Sequence, residues 1–169
     1  MMMVWEWKQR GGPARAWVAG IIMAGAVMVG SASGAQDQTP PYWASISRDE
    51  AIMRAGPSTE MRAMWQYRRR GLPMKIIAVR DDWRQVQDPD GATGWMHKRL
   101  LTNQRTALVI GDAVQPMRVN PSSSAAIAYR AQPGVVGQIS DCAGGWCLFN
   151  VRGQSGWIAT DGIWGDETP

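Results

Sequence analysis

The chain has 169 residues, with 18 Lys and Arg against 14 Asp and Glu, one histidine, two cysteines, ten tryptophans and a single phenylalanine. That length suits one ordinary domain or two very small ones, and leaves no room for two small modules plus a catalytic domain. The formal charge of +4 belongs to the first half: residues 46–101 hold 11 basic and 7 acidic side chains, whereas residues 106–165 hold 3 of each.

Residues 1–35 read as a signal peptide. Lys8, Arg10 and Arg15 precede an uncharged apolar run over 16–30, and Ser31-Ala32-Ser33-Gly34-Ala35 follows it with small residues. A basic start, an apolar centre and a small-residue cleavage site form the pattern of secretion. Ser33 and Ala35 occupy the positions a signal peptidase reads, with cleavage expected after Ala35. A retained anchor is the competing reading, but the run falls short of the roughly 20 residues that span a bilayer. The expectation is an exported protein, periplasmic or else secreted, with no membrane span once the signal is removed. Residues 36–45 read as a linker, polar and Pro-containing over 36–42.

After the linker the chain repeats itself. Arg54, Pro57, Trp83 and Gly94-Trp95 recur in order as Arg118, Pro121, Trp146 and Gly156-Trp157. The Arg-to-Trp spacings are 29 and 28 residues, and the Trp-to-Trp spacings are 12 and 11. Two copies of one unit, 46–102 and 106–165, follow from this order. Residues 74–79 and 83–87 read as short strands. Asp88-Pro89-Asp90-Gly91 is a turn, because Pro presets φ and Gly accepts positive φ. Residues 93–96 return as the second arm of a hairpin, and 151–156 serve as the turn of the second copy. Residues 60–69 have the propensity of a helix as an alternative. The paired tryptophans of each copy either share a core or line one groove.

The motifs Met53-Arg-Ala-Gly-Pro-Ser58, Arg70-Gly71-Leu72-Pro73, Trp83-Arg84-Gln85-Val86, Asp88-Pro89-Asp90-Gly91 and Gly94-Trp95-Met96-His97 resemble the bacterial SH3 domain (SH3b). The second copy resembles it through Met117-Arg118, Pro121, Trp146-Cys147 and Gly156-Trp157-Ile158. The resemblance implies an all-β fold: two tandem small SH3-like β-barrels after the signal peptide, each a strongly bent five-stranded antiparallel barrel. It also implies modules that bind cell-wall peptides, glycans or protein partners. The second copy has Gln132-Pro133-Gly134 in place of Arg-Gly-Leu-Pro and lacks an Asp-x-Asp-Gly turn. Its binding surface is therefore expected to be altered or lost.

Cys142 and Cys147 flank Ala-Gly-Gly-Trp, a hairpin connection across which a disulfide fits an oxidising compartment. Two free thiols, or a metal or redox role, are the alternatives. His97 and two thiols supply too few ligands for zinc, so no metal and no cofactor is expected. His97 and the cysteines fall in different copies, which argues against a Cys/His nucleophile. Asp81, Asp82, Asp88 and Asp90 lie on turns and read as solvated. No catalytic residue emerges, and the chain is expected not to be an enzyme.

The candidate ligand-binding residues are Trp65, Tyr67, Arg68, Arg69, Arg70 and Arg84. The arginine run is either an anion-reading patch or a solvated edge that discourages aggregation. Trp65 and Tyr67 are either a docking groove beside positive charge or the core face of a strand. The expected partner is a cell-wall peptide or glycan bound through the first copy. The alternative is an envelope protein for which the chain is an adaptor. Nucleic acid is not expected, and the oligomeric state is left open.

Overall fold

The computed structural model describes residues 38–166. The signal peptide expected over 1–35 lies outside the described residues. The described residues belong to one compact unit built from two sheets of seven strands each.

The first barrel comprises β1 (Tyr42–Ile46), β2 (Ala51–Arg54), β3 (Ala63–Tyr67), β4 (Pro73–Arg80), β5 (Trp83–Gln87), β6 (Thr93–His97) and β7 (Leu101–Thr102). The second comprises β8 (Thr106–Val109), β9 (Gln115–Arg118), β10 (Ile127–Ala131), β11 (Val136–Ala143), β12 (Trp146–Val151), β13 (Gln154–Ala159) and β14 (Ile163–Trp164). The spatial orders are β3-β2-β6-β5-β4-β1-β7 and β10-β9-β13-β12-β11-β8-β14. These are one order with seven added to each label, so the sequence repeat is a structural repeat.

Two expectations are corrected, and one alternative is set aside. Each barrel has seven strands rather than five, because the chain before the motif and the two residues after a 3-10 turn both add to the sheet. The linker expected over 36–45 is shorter: Tyr42–Ile46 is β1, antiparallel to β4 and buried from Trp43 to Ile46. The helical alternative over 60–69 gives way to β3, paired with β2.

The paired tryptophans do not build the cores. Trp83 and Val86 lie three apart, and a strand turns such residues to opposite faces. Val86 is fully buried with Arg84, which leaves Trp83 half-buried outside. Met53, Met74 and Met96 fill the first core instead, all completely buried with Ile76 and Val86. Methionine, unbranched and flexible, suits the irregular interior of a small barrel. Phe149 occupies the second core with Met117, Cys147 and Ile158. At Gly94 an added Cβ would lie 2.6 Å from Met53 Cγ and 2.9 Å from the Arg54 carbonyl oxygen. The glycine before the second tryptophan is thus what lets β6 cross β2 closely.

The barrels meet through β1. Trp43, 5% exposed, stands edge-on to Trp164 with ring centroids 4.5 Å apart, and Lys75 Nζ lies 5.7 Å from the Trp43 ring centre. Leu108 and Val136 of the second barrel pack on the first core. Between them, Ser45 Oγ reaches the Gln104 carbonyl at 2.6 Å and Thr106 Oγ1 at 2.6 Å, and Thr106 Oγ1 reaches the Gly71 carbonyl at 2.6 Å. Two hydroxyl protons serve these three contacts, so the seam is a chain of shared donors.

Candidate binding groove

Arg54 shows how the repeat anchors work. Its Nη1 donates to the Met61 carbonyl at 2.7 Å, clamping the loop over 55–62. Arg118 repeats the clamp on the Ala125 carbonyl at 2.5 Å. Each loop is also closed by a backbone bond, Ala55 N–H to the Arg62 carbonyl and Val119 N–H to the Ala126 carbonyl, both 3.0 Å.

The clamped loop of the first barrel borders a groove of about 240 Å³ lined by Glu50, Ile52, Arg54, Thr59, Trp83, His97, Arg99 and Leu100. Trp83 and His97 are direct cross-strand partners on β5 and β6, with ring centroids 5.4 Å apart and planes at 69°. His97 also starts the 3-10 turn Lys98–Leu100, its Nδ1 accepting the Arg99 N–H at 3.2 Å. That bond leaves Nε2 as the proton-bearing nitrogen of the neutral ring, 4.0 Å from Asp82 Oδ2. Lys98 Nζ lies 2.8 Å from Asp82 Oδ1, and its hydrogen bond and charge hold the Asp82 carboxyl below its ordinary range. The groove therefore combines an indole face, an imidazole, two guanidiniums and a carboxylate around an apolar floor of Ile52 and Leu100. Such a surface can stack on a ring or hold an extended chain while fixing its polar groups.

The residues singled out from sequence scatter. Trp65 is 55% exposed on β3, an edge strand. Tyr67 is half-buried, and its hydroxyl donates to Asp88 Oδ2 at 2.8 Å. Burial first, then that hydrogen bond, pushes its phenol well above the ordinary tyrosine value. The three consecutive arginines part company. Arg68 Nε lies 3.4 Å from Glu50, at the groove. Arg69 donates to the Gly134 carbonyl in the second barrel. Arg70 lines a separate cleft between the barrels.

Arg84 is corrected as a ligand contact. It is only 6% exposed, and its guanidinium donates to Tyr42 Oη at 3.0 Å and to the carbonyls of Asp81 and Trp83 at 2.9 and 3.2 Å. Asp88 departs from the solvated reading of the acidic cluster. Buried at 6% exposure, its Oδ1 accepts the N–H groups of Asp90 and Ala92 at 3.1 and 2.8 Å.

Sequence reasoning missed the groove residues, though the signal for one pair was present. Counting outward from the Asp88–Gly91 turn pairs Gln87 with Thr93 and, four steps on, Trp83 with His97. No comparable count brings in Glu50, Thr59 or Arg99, which arrive through the sheet order and the clamped loop.

Cys142 and Cys147 form a disulfide with Cα atoms 4.1 Å apart, across a turn in which Gly144 and Gly145 have φ of 59° and 80°. Among the described residues there is no free cysteine and no group of three or more His, Cys, Asp or Glu placed to hold a metal. No described helix is long and apolar enough to cross a membrane.

The family model of the bacterial SH3 domain matches residues 47–103 and again 111–165. Among curated proteins none matches the chain. Solved structures similar to it include NlpC2 and NlpC1 from Trichomonas vaginalis, at 14% and 15% identity and TM-score 0.33 each, over 75% of this chain and 49% and 46% of theirs. An NlpC/P60 family protein from Bacillus cereus matches at 14% identity and TM-score 0.32, over 72% of this chain and 55% of its own. The chain spans about half the length of these structures. With more than half of its residues matched in two successive copies, folded on one repeated strand order, the chain belongs to the bacterial SH3 domain family.

Proposed function

We propose that this is an exported, non-catalytic binding module that holds a cell-envelope ligand, a peptidoglycan peptide or glycan, in the groove of its first repeat. The observation that carries the reading is the Trp83–His97 pair flanked by Arg54, Arg99 and Glu50, a grouping only the first repeat has. At the matching positions of the second repeat, the cross-strand partner of Trp146 is Ala159, and Asp161 and Gly162 stand for Arg99 and Leu100. Family membership supports binding of a wall or protein partner, and the apolar run of the N-terminal residues supports export to where a wall is found.

The test is co-sedimentation of residues 37–169, the compact unit holding both cores, with isolated cell-wall sacculi at low and high salt. The parent should pellet, and Trp83→Ala should lower its affinity about tenfold or more, since stacking aromatics dominate such contacts. Trp146→Ala should pellet as the parent does. Salt should weaken the contribution of Arg54, Arg99 and Arg68, because exposed charges are screened over about 8–10 Å at physiological strength. No pelleting at either salt overturns the wall reading and leaves the adaptor reading. For that, exposed Met61, Met64 and Trp65 offer an apolar edge beside β3. Release of soluble wall fragments would overturn the non-catalytic reading.

A further inference from the structure

An opening larger than the Trp83 groove lies elsewhere. A cleft of about 700 Å³ lies between the barrels, lined from the first by Ser47 and Arg70 and from the second by Gln138, Asn150 and Arg152. Arg70 belongs to the loop between β3 and β4 and Arg152 to the turn between β12 and β13, so each repeat contributes one guanidinium. Neither has an ion-pair or hydrogen-bond partner among the described residues, and no carboxylate lines the cleft. Several other guanidiniums of the molecule are already engaged. Arg54, Arg69 and Arg118 donate to carbonyls, Arg84 donates to carbonyls and a hydroxyl, and Arg68 has Glu50.

The floor of the cleft is fixed. Ser45 and Thr106, 1% and 5% exposed, are the buried hydroxyls of the inter-barrel seam, and Gly71, whose carbonyl Thr106 holds, adjoins Arg70. Arg69 binds the Gly134 carbonyl on the far barrel, which ties down the loop carrying Arg70 from its other side. Arg152 has a φ of 52° in a two-residue turn whose next member, Gly153, donates its N–H to Asn150 Oδ1 at 3.1 Å. Both cations are thus mounted on braced backbone, and holding two like charges at one opening costs energy that an anion recovers.

We propose that this cleft is a second ligand site, made only by the tandem arrangement, which takes the carboxylate of a short polar chain between Arg70 and Arg152. Guanidinium forks match carboxylate geometry. Ser47, Gln138 and the surrounding backbone provide donors and acceptors for the amide groups beside the carboxylate. The volume lies within the roughly 300–1,000 Å³ of small-molecule sites, enough for a few residues of peptide or a sugar acid. The site is separate from the Trp83 groove and stands or falls without it.

The experiment is an amide NMR titration of residues 37–169 with two acids, N-acetyl-trialanine and N-acetylmuramic acid, beside the C-terminal amide of the tripeptide. Signals of Gly71, Gly137 and Gly153 should move with an acid and not with the amide. Arg70→Gln and Arg152→Gln should each weaken binding about three- to tenfold, as expected for a charge-assisted bond at an exposed site. Both side chains are exposed, so the rest of the spectrum should stay in place. Trp83→Ala should leave these shifts unchanged. Response to either acid supports the proposal and identifies the source of the carboxylate as peptide or glycan. Equal binding of acid and amide, no loss in the arginine variants, or shifts at Trp83 and His97 without shifts at the cleft would overturn it.

Discussion

The hairpin between β5 and β6 and its counterpart between β12 and β13 are closed in different ways. In the first barrel a buried carboxylate does it: Asp88 gathers two backbone N–H groups and the Tyr67 hydroxyl. In the second, Arg152 and Gly153 form a tight turn at φ of 52° and 88° with no buried charge. The tips of the neighbouring hairpins differ as well. Val79 and Arg84 face each other across β4 and β5 where Cys142 and Cys147 form the disulfide across β11 and β12. The arginine clamps and the 3-10 turns are common to both barrels. So is the close approach at Gly94 and Gly156. What is shared sets the strand order; what differs fastens hairpin ends or faces solvent. The groove falls in the second class. At Gly162, which stands for Leu100, an added Cβ would meet Gln115 Cδ at 2.5 Å, so the Gln115 side chain fills the place that a side chain occupies in the first barrel.

The largest expected effect tests whether the two barrels are one cooperative body. Phe149→Ala removes the fully buried ring at the centre of the second core and should cost about 3–5 kcal/mol. If the Trp43–Trp164 contact and the Ser45–Thr106 seam couple the barrels, unfolding followed by tryptophan fluorescence and by far-UV dichroism should shift as a single transition. Two separated transitions, with the first barrel melting as in the parent, would show that the seam transmits little. Met53→Ala is the mirror experiment in the first core, at roughly 2–5 kcal/mol.

The disulfide is next. It closes a short loop, with cysteines five apart, and the chain-entropy argument gives about 2 kcal/mol. Reductant should lower the parent's stability by that amount in chemical denaturation, and Cys142→Ala with Cys147→Ala should lower it further, because the Cys147 sulfur is fully buried in the second core. The first barrel, fastened by Val79 and Arg84 at the same positions, should keep its Trp83–His97 groove in the reduced protein. Loss of groove binding on reduction would mean that the fastening of one barrel governs the other.

Much of the architecture was legible because it rests on local chemistry repeated at fixed offsets. Arg54 and Arg118, the two Gly-Trp pairs and the Asp88–Gly91 turn each mark a backbone requirement that one or two residues meet alone. The arginine run was legible as charge but not as geometry. Three consecutive side chains leave one loop in different directions, so adjacency in sequence became separation in space. Arg84 misled for a different reason. Strand alternation sends it inward with Val86, and it is satisfied there by Tyr42 and two carbonyls that no spacing rule connects to it. Trp83 was read as a core residue or a groove residue, and the period of two decides for the outer face.

The smallest effect isolates the carboxylate that distinguishes the first barrel's turn. Tyr67→Phe removes the donor to Asp88 Oδ2 and leaves a buried carboxylate oxygen short of one partner, which should cost about 1–2 kcal/mol at neutral pH. The phenol is raised above the ordinary value of 10.0 by burial and by the charge and hydrogen bond of Asp88. Folding therefore favours the protonated form. Its contribution is complete below pH 10, where the unfolded phenol is also protonated. It falls as pH rises further, because the unfolded chain then releases a proton that the folded chain keeps. Between neutral pH and about pH 10 no group that the substitution touches changes its charge, so the stability gap should be flat over that range and should close above it. A gap that widens with alkali would mean that the folded phenol ionises more readily than the unfolded one, and the turn would then owe its closure to the backbone N–H groups of Asp90 and Ala92 alone.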